Sequence, residues 1–369
     1  MPDSGINVVF RERGAEAVTA KPRQTVAIII EDTKHLGRNV WSRPGAVPDD
    51  LTESNIKYIK RAMLGNTTAP ARVLVFVTGT GTAPSDGGTA PSYTLQNALD
   101  ALQWEAFGWL APPPEAETAE LKTIADWVVA HYKTTHFGKA VLPNYATAAS
   151  EAVVNFTGSG LKADGETLGA ADYCSRIAGF LAGTPLTDSV TNAVLPDLTD
   201  CTRLSQADLD AAVDAGKLTV KYRGGTVRLT RGVNSYVPTG SNLTDEEKRP
   251  TKIKLNEIRD QAWYDVHGLL ETEYEGRYPN NYDNRMIAVT AILDYLHEGE
   301  TLDLYAEGSG WARIDADATR TYLTSQGVDT TDMSDEEVVR YVDGNTRVYL
   351  IFGATVLDSM EDFVVTMEM

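Results

Sequence analysis

Residues 25–32 read TVAIIIED and residues 71–79 read ARVLVFVTG. Neither run alternates apolar with polar side chains. A strand with one wet face must alternate at period two, so these runs belong to strands buried on both faces. Such strands need helices above and below them, and the sequence supplies helical periodicity. ELKTIADWVVAHYKTTHFG places Leu121, Ile124 and Val128 on one helical face. YTLQNALDALQWEAFGWL predicts a helix closed by Pro112, Pro113 and Pro114, and AADYCSRIAGFLAG another. KAVLPNY and EAVVNFTG read as short strands between them. The alternation over about residues 25–200 predicts an α/β layered domain.

Further on, SQADLDAAVDAG predicts a helix with Ser205 as N-cap and Gly216 at its end. Gly224-Gly225 between KLTVKYR and TVRLTRGVNSYV predicts a hairpin. The charged stretch TGSNLTDEEKRPTK marks the expected domain boundary. A long helix follows over 253–274, with Leu255, Ile258, Ala262, Val266, Leu269 and Leu270 as its apolar stripe. MIAVTAILDYLHEG predicts a second helix, TLDLYAEG with ARIDAD a hairpin, and Ser334 with Glu337 a capping box. Two strands are expected in TRVYLIFGATVLDSMEDFVVTMEM. The expected division is an arm and linker over 1–24, an α/β domain over 25–240, a C-terminal domain over 241–355, and an arm strand over 356–369.

Both extremities alternate. Ile6, Val8 and Phe10 fall on one side of GINVVFR, and Phe363, Val365, Met367 and Met369 on one side of FVVTMEM. That is the pattern of strands with one buried side. Residues 12–24, fully extended, reach on the order of 40 Å, against a radius of gyration of about 21 Å for a compact body of this length. Burying the four C-terminal apolar side chains gives roughly 6–12 kcal/mol gross, and ordering seven backbone residues costs about 7–14 kcal/mol. One arm alone stands near break-even, so backbone pairing on a preformed sheet must tip the balance. The arms are expected to add as strands to neighbouring subunits.

The sequence carries little that points to catalysis. Gly79, Gly81, Gly87 and Gly88 fit neither phosphate-loop spacing, and Pro84 interrupts the helix start such loops need. FTGSGL and AEGSGWA lack the upstream glycine of a nucleophile elbow. His131 and His136 stand five apart rather than four, so no metal and no cofactor is expected. Acid pairs such as Glu361-Asp362 carry no information alone among 52 carboxylates. Cys174 and Cys201 make no disulfide framework. The start of the chain has no signal-peptide pattern, and no run is long and apolar enough to span a bilayer. A formal charge of −19 disfavours both nucleic acid and anionic membrane as partners. Within that acidic chain Lys248, Arg249, Lys252, Lys254 and Arg259 form a basic cluster at a helix start, where cations oppose the helix dipole. The cluster is either a solvated surface or a dock for an acidic partner.

GTPLTDSVTNAVLPDL, TVRLTRGVNSYV, IRDQAWYDVHGLLETEYEGRYPNNYDNR and GATVLDSMEDFVVTMEM, in that order, resemble the contractile tail sheath proteins of phages, phage-tail-like bacteriocins and related injection systems. The likeness covers residues 165–300 and the last 20, with residues 310–343 reading as an insertion. The resemblance implies an α/β, two-domain subunit with extended N- and C-terminal β-strand arms, its outer domain subtilisin-like in fold name only. It implies a mechanical protein, not an enzyme, that stacks in hexameric rings around a tail tube and contracts to drive the tube through an envelope. Partners implied are other copies of the chain, the tube protein, and baseplate and tail terminator proteins, with the basic cluster facing the tube. The implied location is a virion tail or extracellular particle assembled in the host cytoplasm. Two rivals remain: an α/β hydrolase-like enzyme, and a non-contractile tail or capsid protein.

Overall fold

The computed structural model describes residues 22–83, 89–240, 243–342 and 344–367. The expected arm residues Ile6, Val8, Phe10 and Met369 lie outside them. The first half of the chain runs β1 (Thr25–Glu31), β2 (Gly37–Val40), α1 (Glu53–Ala62), β3 (Arg72–Thr80), β4 (Ser92–Tyr93), α2 (Leu95–Leu102), β5 (Trp109–Ala111) and α3 (Thr118–Thr135). It continues with β6 (Lys139–Pro143), β7 (Val153–Phe156), β8 (Leu161–Ala163), β9 (Glu166–Leu168) and α4 (Ala170–Ala182). Then come α5 (Gln206–Asp214), β10 (Lys217–Leu218), β11 (Val220–Arg223) and β12 (Thr226–Leu229).

The main sheet has the order β10-β7-β6-β5-β1-β3-β2, with β4 paired to the end of β3. Every neighbour is parallel except at β2 and β4. The two apolar runs sit side by side, Val26 opposite Val73 through Glu31 opposite Thr78. Their alternate side chains feed two separate cores. Val26, Ile28, Ile30, Val73, Val75 and Val77 pack with α1 and α4. Ala27, Ile29, Leu74 and Phe76 pack with α2 and α3 on the other side. Burial on both faces is why neither strand shows a polar period.

The hairpin at Gly224-Gly225 forms, both glycines having positive φ (60° and 80°) as a two-residue turn of the favoured hand requires. KLTVKYR is split, since Lys217-Leu218 adds to the main sheet beside β7 while Val220–Arg223 pairs with β12.

The C-terminal half contains α6 (Asp245–Lys248), α7 (Ile253–Glu273), α8 (Tyr282–Thr301), β13 (Trp311–Ile314), α9 (Ala316–Ser325), α10 (Asp335–Arg340) and β14 (Leu350–Gly353). Its own small core joins Ile258 and Val266 of α7 to Ile292 and Leu296 of α8, with Leu304 and Tyr305. α7, just beyond the expected boundary near 241, packs against both halves of the molecule. Ile253 packs into the α/β core. Asp260 accepts hydrogen bonds from Tyr132 Oη (2.7 Å) and Lys139 Nζ (2.7 Å), while Glu257 pairs with Arg23 (2.9 Å) and with Lys139. Burial works against the Lys139 charge, but Asp260 and Glu257 more than offset it and raise its pKa.

Several sequence expectations need correction. The helix expected over 93–110 stops at Leu102, and Trp109–Ala111 becomes a sheet strand. TLDLYAEG is not half of a hairpin. α8 runs through Thr301, Asp303 takes a left-handed φ of 56°, and Leu304 and Tyr305 turn into the small core. β13 pairs instead with β14, from Trp311 opposite Gly353 to Ile314 opposite Leu350. After Thr346 β14 forms within the subunit, while the terminal strand is expected to pair only on a neighbouring copy. Residues 361–367 have no strand partner among the described residues.

Candidate assembly interface

An open parallel sheet offers a ligand crevice at the carboxyl ends of its strands, where the winding direction reverses. Here that place lies beyond β1, between β3 and β5. Asp32 occupies it, and its carboxylate is fully engaged. Oδ1 accepts from the backbone of Thr33 (2.7 Å) and Lys34 (3.3 Å), and Oδ2 from Thr52 N (2.9 Å) and Asn55 Nδ2 (2.9 Å). Burial opposes the charge, yet these donors hold the carboxyl below the ordinary aspartate range. The group ties a loop together and presents no free oxygen to a substrate. Of the serines in the Gly-Ser-Gly runs, Ser309 Oγ accepts from Thr355 N. Among the described residues no three His, Cys, Asp or Glu are placed to hold a metal.

The basic cluster is not a free patch. Lys252 stands at the N-cap position of α7 and pairs with Asp358 and with Glu361 (3.4 Å). Lys254 Nζ donates to Thr187 O (2.8 Å) and Ser359 Oγ (2.9 Å). Arg249 donates to Val356 O (3.0 Å). Arg259 pairs with Glu151 (2.6 Å) and Asp260 (3.2 Å). Lys248 alone of the five is exposed without a side-chain partner among the described residues. Burial works against the Lys252 charge, but Asp358 and Glu361 raise its pKa on balance. Burial wins at Lys254 and lowers it.

The acidic partners of Lys252 are the chain's own Asp358 and Glu361, in a segment that also meets Lys254 through Ser359, contacts that sequence reading missed. Arg231, outside the expected cluster, pairs with Asp362 and reaches Glu361 (3.8 Å), and Ser189 Oγ donates to Glu361 Oε1 (2.8 Å). Glu361 is almost wholly buried, so it makes the pair with Asp362 informative after all. Beyond this root the segment has little cover among the described residues. Phe363, Val365 and Met367 are 73%, 85% and 75% exposed, and Val364 between them is bare as well. Consecutive exposed apolar residues are costly in water and mark a contact surface.

A family model described as the phage tail sheath protein central domain matches residues 86–235. The sheath tail protein from Desulfitobacterium hafniense superposes with a TM-score of 0.66 at 16% identity, covering 84% of this chain and 94% of that one. The anti-feeding prophage helical sheath in its contracted state gives 0.66 at 13% identity, over 99% of both chains. These two establish a shared fold. The tail sheath protein of Clostridium phage phiCD119 is 30% identical over 372 residues, spanning 99% of this chain and 98% of the relative. With sequence kinship running end to end on a fold common to contractile sheaths, the chain belongs to the tail sheath protein family.

Proposed function

We propose that this chain is the structural and mechanical subunit of a contractile tail sheath. It stacks as hexameric rings around a tail tube and shortens to push the tube through a cell envelope. The observation that carries this reading is the phage sheath relationship over 99% of the chain. The bare apolar segment at 363–367 supports it, since a polymer subunit needs a surface that only a neighbour covers. Phe363, Val365 and Met367, with Met369 and the N-terminal Ile6, Val8 and Phe10, serve as the inter-subunit anchors. Baseplate and terminator proteins cap the cylinder, which works in a phage tail or extracellular particle after assembly in the host cytoplasm. Of the cations first assigned to the tube, Lys248 and the exposed part of Arg259 remain accessible for that contact.

The subunit is not an enzyme on this reading, and the saturation of Asp32 supports that. Electron microscopy of the purified chain, alone and with its tube protein, tests the proposal. Cylinders of stacked six-fold rings are expected. Discrete monomers under all assembly conditions, with turnover of an ester or peptide substrate, would favour the hydrolase rival.

A further inference from the structure

The last described residues fall into three stretches held in three different ways. Up to Leu357 the backbone is bonded to the small C-terminal core, through Leu357 N to Leu304 O (2.9 Å) and the bridge between Tyr305 and Val356. From Asp358 to Asp362 side-chain polar contacts take over, chiefly ion pairs to Lys252 and Arg231 with hydrogen bonds from Lys254 and Ser189. Apolar packing contributes little there, since Met360 is 85% exposed. From Phe363 to Met367 the apolar side chains are largely exposed among the described residues.

We propose that Lys252, Lys254 and Arg231 form a charged joint that grips Asp358–Asp362 and fixes the direction in which the apolar tip leaves the body. The joint stands on the geometry alone, while its consequence for assembly rests on the sheath reading. A tip swinging from Leu357 would search a wide volume before meeting a neighbour. Gripping five more residues shortens the free tether, raises the effective concentration of the tip at its docking site, and removes ordering cost from the binding step. The grip is also ionic, so it can yield under load or salt without unfolding a core. Glu361 sits at its centre, almost wholly buried and reached by Lys252, Arg231 and Ser189.

The test places a nitroxide spin label at Met360→Cys, inside the joint, and separately at Thr366→Cys, in the free tip. Native Cys174 and Cys201 are buried and do not compete for label. In the monomer the label at 360 should tumble several-fold more slowly than the label at 366. Arg231→Glu, and separately Lys252→Glu, should bring the two rates together. Pairing Arg231→Glu with Asp362→Arg, or Lys252→Glu with Asp358→Lys, should restore the difference. Arg231 is at the surface, so its variant keeps the test alive if the Lys252 variant fails to fold. The threshold concentration for cylinder formation should rise about tenfold in each reversal, since a few exposed or half-buried pairs are lost, and return in each swap. Equal mobility at 360 and 366 in the unaltered background would overturn the joint, as would swaps that restore nothing. Mobility that responds while the threshold stays fixed would overturn its role in assembly. If no variant and no parent ever forms cylinders, the sheath reading fails, and the mobility data still decide the joint.

Discussion

Asp32 shows how one side chain can both close a site and hold a loop. Replacing it by Ala strands three backbone N–H groups and one of the two Asn55 amide N–H donors, the other staying on Glu31 O, and is expected to cost about 2–3 kcal/mol by chemical denaturation. Its pKa is lowered in the folded state, so its contribution is fully present above the unfolded value of about 3.9 and is lost as pH falls through the lower folded value. Asp32→Asn should therefore flatten the acid limb of the stability profile. Phe363 is expected to behave in the opposite way. Phe363→Asp should leave monomer stability within about 0.5 kcal/mol, because the ring is already in water, yet abolish cylinder formation, because a neighbour's apolar slot cannot take an unpaired charge. The alternation that singles out Phe363 is local and could be read directly. The partners of Asp32 lie up to 23 residues downstream, and those of Asp358–Asp362 lie more than 100 residues upstream. A linear reading sees one more acid among 52.

Elements buried on both faces were legible because their pattern depends only on themselves. β1 and β3 formed where the unbroken apolar runs placed them, and α3, α4, α5 and the glycine hairpin followed from spacing and caps. Errors came where a segment's fate depended on distant partners. Trp109–Ala111 looks helical by composition but fills the gap between β1 and β6, with Gly108 N donating to Thr25 O (2.9 Å). β13 pairs across a connection carrying two helices rather than with its near neighbour, a choice no local signal encodes. The crossing of α1 and α4 gives a test at this scale. A Cβ on Gly179 would lie 1.9 Å from Ala62 O, a backbone atom that cannot swing away. Gly179→Ala, neutral or stabilising in most helices, should here destabilise the protein by about 1–3 kcal/mol in thermal or denaturant unfolding. An unchanged or raised melting temperature would mean that the two helices have room to part.

Charge is distributed unevenly over the whole molecule. Residues 263–345 contain 18 Asp and Glu, five Arg and no Lys, a formal −13 out of −19. Stacking copies of such a body brings like charges together, and added salt screens exposed charges beyond about 10 Å far more than close half-buried pairs. Raising salt from about 0.05 to 0.3 M should therefore speed polymerisation, with the joint at Asp358–Asp362 weakening only at the higher end. Light scattering of the purified chain checks this, and slower growth throughout the range would place the ionic joint above repulsion as the limiting term. The central claim is that an exposed segment of each subunit is completed by another within a contractile cylinder. Electron cryo-microscopy of the assembled particle at side-chain detail tests it most directly. The account predicts six-fold rings in a helical stack, with residues 363–367 paired as a strand against a neighbouring subunit while Asp358–Asp362 stay on Lys252 and Arg231 of their own. A cylinder in which residues 363–367 pair only within their own subunit, or an assembly with no ring stack, would contradict it.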